Sequence, residues 1–170
     1  MNPLNEASFK DALRNFPSGV TIVSTTDDAG RHWGFTATSF ASVSMNPPLV
    51  LVCLAETAQS HAAFVRARRF AVNVIGNEHK DVALHFSRKH PDKFAGQDFC
   101  FGTSGEPAPP VLRGVAAALV CETHEVLRLG DHAVLVGEVK DVQTHPSTPL
   151  VYVDRSFHAL EREAAELGSV

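Results

Sequence analysis

Successive strands in this chain are not separated by helices of crossover length, and that spacing constrains the fold more than any other feature. Residues 19–26 are rich in β-branched side chains (Val20, Thr21, Ile22, Val23, Thr25, Thr26), which favour a pleated strand. Asp27-Asp-Ala-Gly30 is a turn signal, so residues 31–37 pair back as a hairpin. Residues 49–55 form a continuous apolar run, the pattern of a strand buried on both faces or packed against a partner. Residues 70–75 read as a strand, residues 115–127 and 133–142 as a long hairpin around Leu129-Gly-Asp131, and residues 150–153 as a last short strand. Helical character is confined to residues 9–16, capped by Ser8 and stopped by Pro17 and Gly19, and to residues 60–68, 78–87 and 159–167. Parallel neighbours need long crossovers. The order therefore predicts a mainly β chain of α+β type, an antiparallel barrel with a few peripheral helices.

At 170 residues the chain fits a single domain, and a domain of this size buries roughly 70% of the surface its unfolded chain exposes. Residues 102–110, with two Gly and three Pro, are too short to separate domains and read as a long surface loop. An apolar content of 44% with 20% charged residues excludes wholesale disorder. The net charge of -4 leaves no basic excess for nucleic acid and no polybasic stripe for an anionic membrane. The longest apolar stretches, residues 49–55 and 115–121, have seven residues each, against the roughly 20 that a membrane helix needs. The N-terminus has neither the basic nor the apolar region of a signal peptide. Cys53, Cys100 and Cys121 are odd in number and widely spaced, so a disulfide framework is not expected and the chain reads as cytoplasmic.

Several chemistries lack their motifs. There is no Gly-x-Gly-x-x-Gly after a strand, no Walker-type Gly-Lys-Ser/Thr, no Cys-x-x-Cys, no His-Glu-x-x-His and no Gly-x-Ser-x-Gly. His79, His85 and His90 are spaced by six and five, which does not put them on one helical face, and they read as surface residues rather than metal ligands.

The informative segment is Gly34-Phe-Thr-Ala-Thr-Ser-Phe-Ala-Ser-Val-Ser-Met-Asn-Pro-Pro48. Thr36, Thr38, Ser39, Ser42 and Ser44 crowd a stretch between apolar strands, and the Pro-Pro is expected to end strand pairing. One reading is an ordinary Ser/Thr-rich edge strand. The other is a surface whose exposed amides and hydroxyls suit a flat, polar-edged ligand or a phosphate.

The segment closely resembles the Gly-x-Thr-Ala-x-Ser-Phe…Ser-x-x-Pro-Pro signature of the flavin reductase-like family, the small reductase components of two-component flavin-dependent monooxygenases. Further matches follow in order: Phe16-Pro-Ser-Gly-Val-Thr-Ile-Val23, Phe70-Ala-Val-Asn-Val74, Asp92-Lys-Phe94, Gly130-Asp-His132 with Gly137-Glu-Val139, and Pro149-Leu-Val-Tyr152 with Phe157-His158. Together they span about residues 9–160.

The resemblance implies a split β-barrel of the FMN-binding type that forms a homodimer and binds FMN or FAD near the dimer interface. It places Thr36, Ala37, Thr38 and Ser39 along the flavin, with Ser42, Val43 and Ser44 continuing the wall, Pro48 bordering it and Cys53 on the adjacent strand. Ser60 and His61, at a helix start, and Phe86, Ser87, Arg88 and Lys93 are implied for the phosphate side. For Arg88 and Lys93 the charge pattern alone leaves a solvated face open, and for Cys53 a buried small hydrophobe. His132 is implied beside the flavin where NADH or NADPH docks, orienting the nicotinamide, with Asp131 positioning it or simply making the turn. Tyr152, Phe157 and His158 are further candidates there. The implied activity is an NAD(P)H:flavin oxidoreductase that supplies reduced flavin to a separate monooxygenase. A non-catalytic flavin-binding protein and a pyridoxal-phosphate-type oxidase of the same fold are the alternatives.

Overall fold

The computed structural model describes residues 5–101 and 108–160. Helix α1 spans Glu6–Arg14, and its cap is Asn5 rather than Ser8: the Ser8 backbone N–H donates to Asn5 Oδ1 at 2.8 Å. The elements that follow are β1 (Ser18–Gly19), β2 (Thr21–Thr26), β3 (His32–Ala37), β4 (Ala41–Met45), β5 (Pro48–Ala55), α2 (His61–Arg66) and β6 (Arg69–Val74). A 3-10 turn (Asn77–His79) then leads into α3 (Lys80–Ser87). The rest is β7 (Phe99–Cys100), β8 (Val111–Leu112), β9 (Ala117–Leu129), β10 (His132–Thr144), β11 (Leu150–Val153) and β12 (Ser156–Ala159).

Seven strands form one sheet in the order β3-β2-β6-β9-β10-β5-β4, and every ladder among the described residues is antiparallel. The sheet curls until β3 comes near β5, and no ladder joins the two. The barrel is thus split, and a side chain bridges the seam. Ser39, just past β3, accepts the Cys53 N–H at 2.9 Å and donates its hydroxyl to the Cys53 carbonyl at 3.3 Å. Backbone groups that a neighbouring strand would have satisfied are met by one hydroxyl.

Two cores result. The barrel interior holds Val23, Phe35, Val50, Val52, Leu54, Phe70, Val72 and Leu135, with Phe64 of α2 packed against them. The second core lies between the sheet and α3 and gathers Val20, Ile22, Ile75, Ala83, Phe86, Phe94, Phe99 and Leu112. β2 lies between them and contributes to both, and β2 and its neighbour β6 are buried on both faces. β5, expected in that role, alternates buried and half-buried residues as a sheet with one covered face requires. The Pro-Pro does not end pairing. The cis Asn46–Pro47 bond lies in the β4–β5 hairpin, and Pro48 sits opposite Met45 in the ladder. The C-terminal helix expected from residue 159 is corrected at its start, because Ala159 pairs with Leu150 in β12; residues 161–167 lie outside the described residues. So do residues 102–107 of the expected loop. No helix among the described residues is long and apolar enough to cross a membrane.

Candidate functional site

The ends of β3 and β5, the loop into α2, the C-terminal end of α3 and the start of β10 converge on an open cleft of about 440 Å³. That size falls in the ordinary range for small-molecule sites. Of the residues expected there, Thr36, Ala37, Thr38, Ser39, Cys53, Ser60, Phe86, Ser87, Arg88, Lys93 and His132 line it.

Several of these are already committed to the fold. The Thr36 hydroxyl donates to the Ala83 carbonyl at 2.6 Å, tying β3 to α3. Lys93 donates to the carbonyls of Phe86 at 2.8 Å and Gly34 at 3.2 Å, so its ammonium pins the end of α3 against β3. Burial lowers its pKa from the usual lysine range. An ammonium has three donors, so one remains for a ligand. The Phe86 ring is fully buried in the second core. Gly34 lies so close beneath it that a Cβ there would meet the ring at 2.6 Å. Arg88 caps the C-terminal end of α3 and is exposed. It takes part in no salt bridge among the described residues.

The cleft also carries unused backbone donors. Among the described residues, the N–H groups of Thr38, Ser39, Thr57, Gln59 and Ser60 have no hydrogen-bond acceptor. They are available to an anion or a carbonyl-edged ligand without a cost for breaking bonds already made. α2 supplies little more: Ser60 is buried, makes no side-chain cap bond, and the helix has six residues.

His132 stands at the start of β10, opposite Ala55 on β5 and Leu129 on β9. Its Nδ1 lies 2.7 Å from Asp131 Oδ1. That hydrogen bond holds the Asp131 carboxyl below the usual aspartate range, so Asp131 is ionised at neutral pH and accepts from Nδ1–H. In the neutral ring the lone pair is then on Nε2, the nitrogen left for a ligand. The Asp131 carbonyl also accepts the Glu56 N–H at 2.9 Å, fixing the hairpin turn against the β5–α2 loop.

Other expected residues are not brought into this cleft. Ser42, Val43 and Ser44 lie on β4, which pairs with the outer edge of β5 and carries them past it, with Pro48 at the far end of the same hairpin. His61 sits within α2 with its Nε2 buried and unpartnered. Tyr152 and Phe157 pack as a ring pair at 5.1 Å against the second core. Tyr152 borders a neighbouring cleft of about 320 Å³ that shares Thr38. His158 is exposed on β12. Conversely, the lining includes Phe35, Leu54, Ala55, Thr57, Ala58, Gln59 and Lys89, which sequence reasoning missed. The one available signal was Thr57-Ala-Gln-Ser60, a short polar link between a strand and a helix.

The thiols differ sharply. Burial pushes Cys121 up to about 12, whereas Cys100 is exposed. Iodoacetamide at mildly alkaline pH should label Cys100 in the folded protein and Cys121 only after unfolding, since the thiolate is the nucleophile. Peptide mass spectrometry reads the order, and early labelling of Cys121 would contradict the packed core.

The chain matches the flavin reductase like domain over residues 13–161. It is 45% identical over 157 residues to the actinorhodin polyketide dimerase of Streptomyces coelicolor, covering 92% of this chain and 87% of that protein. It is 38% identical over 152 residues to the stachydrine N-demethylase reductase subunit of Rhizobium meliloti, covering 89% of this chain and 65% of that subunit. It spans 42% of the length of two longer relatives. Among solved structures, the NADH:FAD oxidoreductase of Streptomyces globisporus in complex with NAD and FAD fragments superposes with a TM-score of 0.83 at 31% identity, over 98% of both chains. With the split barrel and the cleft in place, these matches make the chain a member of the flavin reductase like domain family.

Proposed function

We propose that this chain is an NAD(P)H:flavin oxidoreductase that passes reduced flavin to a separate monooxygenase. The observation that carries the reading is one cleft joining unused backbone donors to a histidine whose free nitrogen is set by a carboxylate. The residues fit a flavin. Small side chains at Ala37, Cys53, Ala55 and Ala58 let a flat ring approach the backbone. The free N–H groups match its polar rim, and Arg88 with the spare Lys93 donor suits its phosphate.

Bound flavin supplies the hydride-accepting ring, and the nicotinamide supplies the hydride. The protein's part is placement, because transfer needs the reacting atoms about 3–3.5 Å apart. Ser39 ties the β3 wall to β5 across the split, and Lys93 holds the end of α3 against β3 on one side of it. His132, held by Asp131, orients the nicotinamide through Nε2. The demethylase relative is a reductase subunit by name, which supports a separate oxygenase as the acceptor.

The reading includes a homodimer. The outward side of β9, β10 and β5 carries Leu127, Leu129, Val134, Val136 and Leu51 in register, and Leu129 is 61% exposed. Apolar residues gathered on one sheet face mark an interaction surface. Sedimentation should give twice the monomer mass, and Leu129→Lys should shift it toward monomer; a monomeric parent protein removes the dimer from the reading.

Anaerobic mixing of protein, excess FMN or FAD and NADH should bleach many flavin equivalents per protein. His132→Ala should raise KM for NADH about tenfold, the loss of one hydrogen bond, with flavin affinity unchanged. Bound flavin should also slow alkylation of Cys53. Flavin that binds but is not reduced would overturn the reductase, and an unchanged KM would remove the role of His132.

A further inference from the structure

Among the described residues, the non-glycine residues with positive φ are Asp154 at 46° and Arg155 at 60°. Val153 pairs with Ser156, so the two form a two-residue turn between β11 and β12. Such turns favour asparagine or aspartate followed by glycine, because a Cβ is disfavoured in the left-handed region. Aspartate tolerates that region, but arginine has no local reason to occupy it. Strain of this kind persists where the surroundings fix it, and it clusters at ligand sites. Here the turn is fixed by α1: the Asp154 N–H donates to the Arg14 carbonyl at 2.9 Å.

Arg155 lines the pocket of about 320 Å³ between this turn and α1. That volume lies at the lower end of the range for small-molecule sites, about 300–1,000 Å³. Its apolar wall is Leu13 and Phe16, which are 56% and 72% exposed. Tyr152 lines it too, its ring held by Phe157 at 5.1 Å. Lys10, Arg14 and Arg155 bring positive charge, against the single carboxylate of Asp154. Lys10 is engaged by Glu6 and Arg14 by Asp11. Arg155 takes part in no salt bridge among the described residues. The hydroxyls of Ser18, Thr38 and Tyr152 also line the pocket and have no hydrogen-bond partner among the described residues.

We propose that this pocket binds a small aromatic carboxylate, its ring against Phe16 and Tyr152 and its carboxylate on Arg155. A guanidinium matches a carboxylate in planar, two-bonded geometry. Aromatic side chains hold a ring edge-on or offset-stacked. The three hydroxyls meet the remaining polar edge. An aliphatic acid leaves the aromatic wall uncovered, and a neutral ring leaves the guanidinium without its partner. The strained arginine is then kept for its side chain, which glycine in the same turn would not supply. The proposal does not rest on the reading of the cleft. Thr38 lines both spaces, so whether they share one occupant is part of the test.

The probe is 4-fluorobenzoate, followed by fluorine NMR in the presence of the full chain. Its line should broaden and shift saturably. 4-Fluorobenzamide, the same ring without the charge, should bind about tenfold more weakly, the scale of one charge-assisted contact. Arg155→Gly should lose the same factor for the benzoate while melting no lower than the parent, because relief of the turn offsets the extra freedom of the unfolded chain. Arg155→Gln, which keeps the strained turn, should lose it as well. Phe16→Ser, at an exposed position, should weaken both probes. No change in the benzoate line overturns the proposal, and so does equal binding of benzoate and benzamide or undiminished binding in both Arg155 variants. Competitive displacement of the benzoate by FMN or NADH would also overturn it, by assigning the pocket to the cleft's own ligands. Benzoate binding in a protein that fails to bind FMN would leave the pocket standing and reject the reading of the cleft.

Discussion

Phe86→Ala should destabilise the protein by about 3–5 kcal/mol, the usual range for emptying a buried phenylalanine site. Phe86 is fully buried, edge-on to Phe94 at 5.1 Å and near Phe99 at 5.5 Å, so no side chain is free to collapse into the space. Domains of this kind have about 5–15 kcal/mol in total, so the variant would sit near the edge of folding. The loss should also reach the cleft, because Ser87 and Arg88 follow directly in sequence and line it. Urea unfolding should show a lower midpoint with an unchanged slope, and flavin affinity should fall with it. Phe86→Leu, which keeps most of the volume, should recover much of both. A stability loss below about 1 kcal/mol in the alanine variant would mean that the second core is not packed as described.

Asn73→Leu should cost about 2–4 kcal/mol, since two buried backbone groups lose their partners at once. The Asn73 amide donates to the Ile22 carbonyl at 2.9 Å, and its oxygen accepts the Leu112 N–H at 2.9 Å. One fully buried side chain thereby joins β2, β6 and β8. Leucine has nearly the same shape and fills the space without either bond, so the measurement separates hydrogen bonding from packing. Asn73→Asp should be at least as harmful, because it buries a charge beside a carbonyl. Thermal unfolding gives the ranking, and a leucine variant as stable as the parent would show that these bonds contribute nothing net.

Much of the architecture was legible locally. The β-branched run of β2, the Asp27–Gly30 turn and the Leu129–Asp131 turn all lie where sequence reasoning placed them, because turn chemistry and strand propensity act over a few residues. Elements that depend on partners were missed or misread. β4 fits the Ser/Thr-rich edge strand that was one reading of its sequence, but the Pro-Pro expected to end its pairing instead lies in the hairpin, because β5 offers it an edge. β7, β8 and β12 are too short to show a period. β5 looks doubly buried from its composition, but which face is covered depends on where the sheet curls.

The candidate site divides in the same way. The chemical types at Thr38, Ser39, Arg88 and His132 are written in the sequence, and the resemblance drew attention to them. Their use is not. Thr36 and Lys93 look like ligand contacts and turn out to bond carbonyls of Ala83, Phe86 and Gly34, because a buried hydroxyl or ammonium must find an acceptor wherever the packing provides one. Ser39 acquires its role only because the barrel fails to close beside it. By itself the sequence determined the strand-rich class, the turns and the inventory of polar groups, since these follow from propensity and side-chain chemistry. The tertiary structure decided which of those groups remain unpaired and face one cleft, since that depends on contacts between residues far apart in the chain.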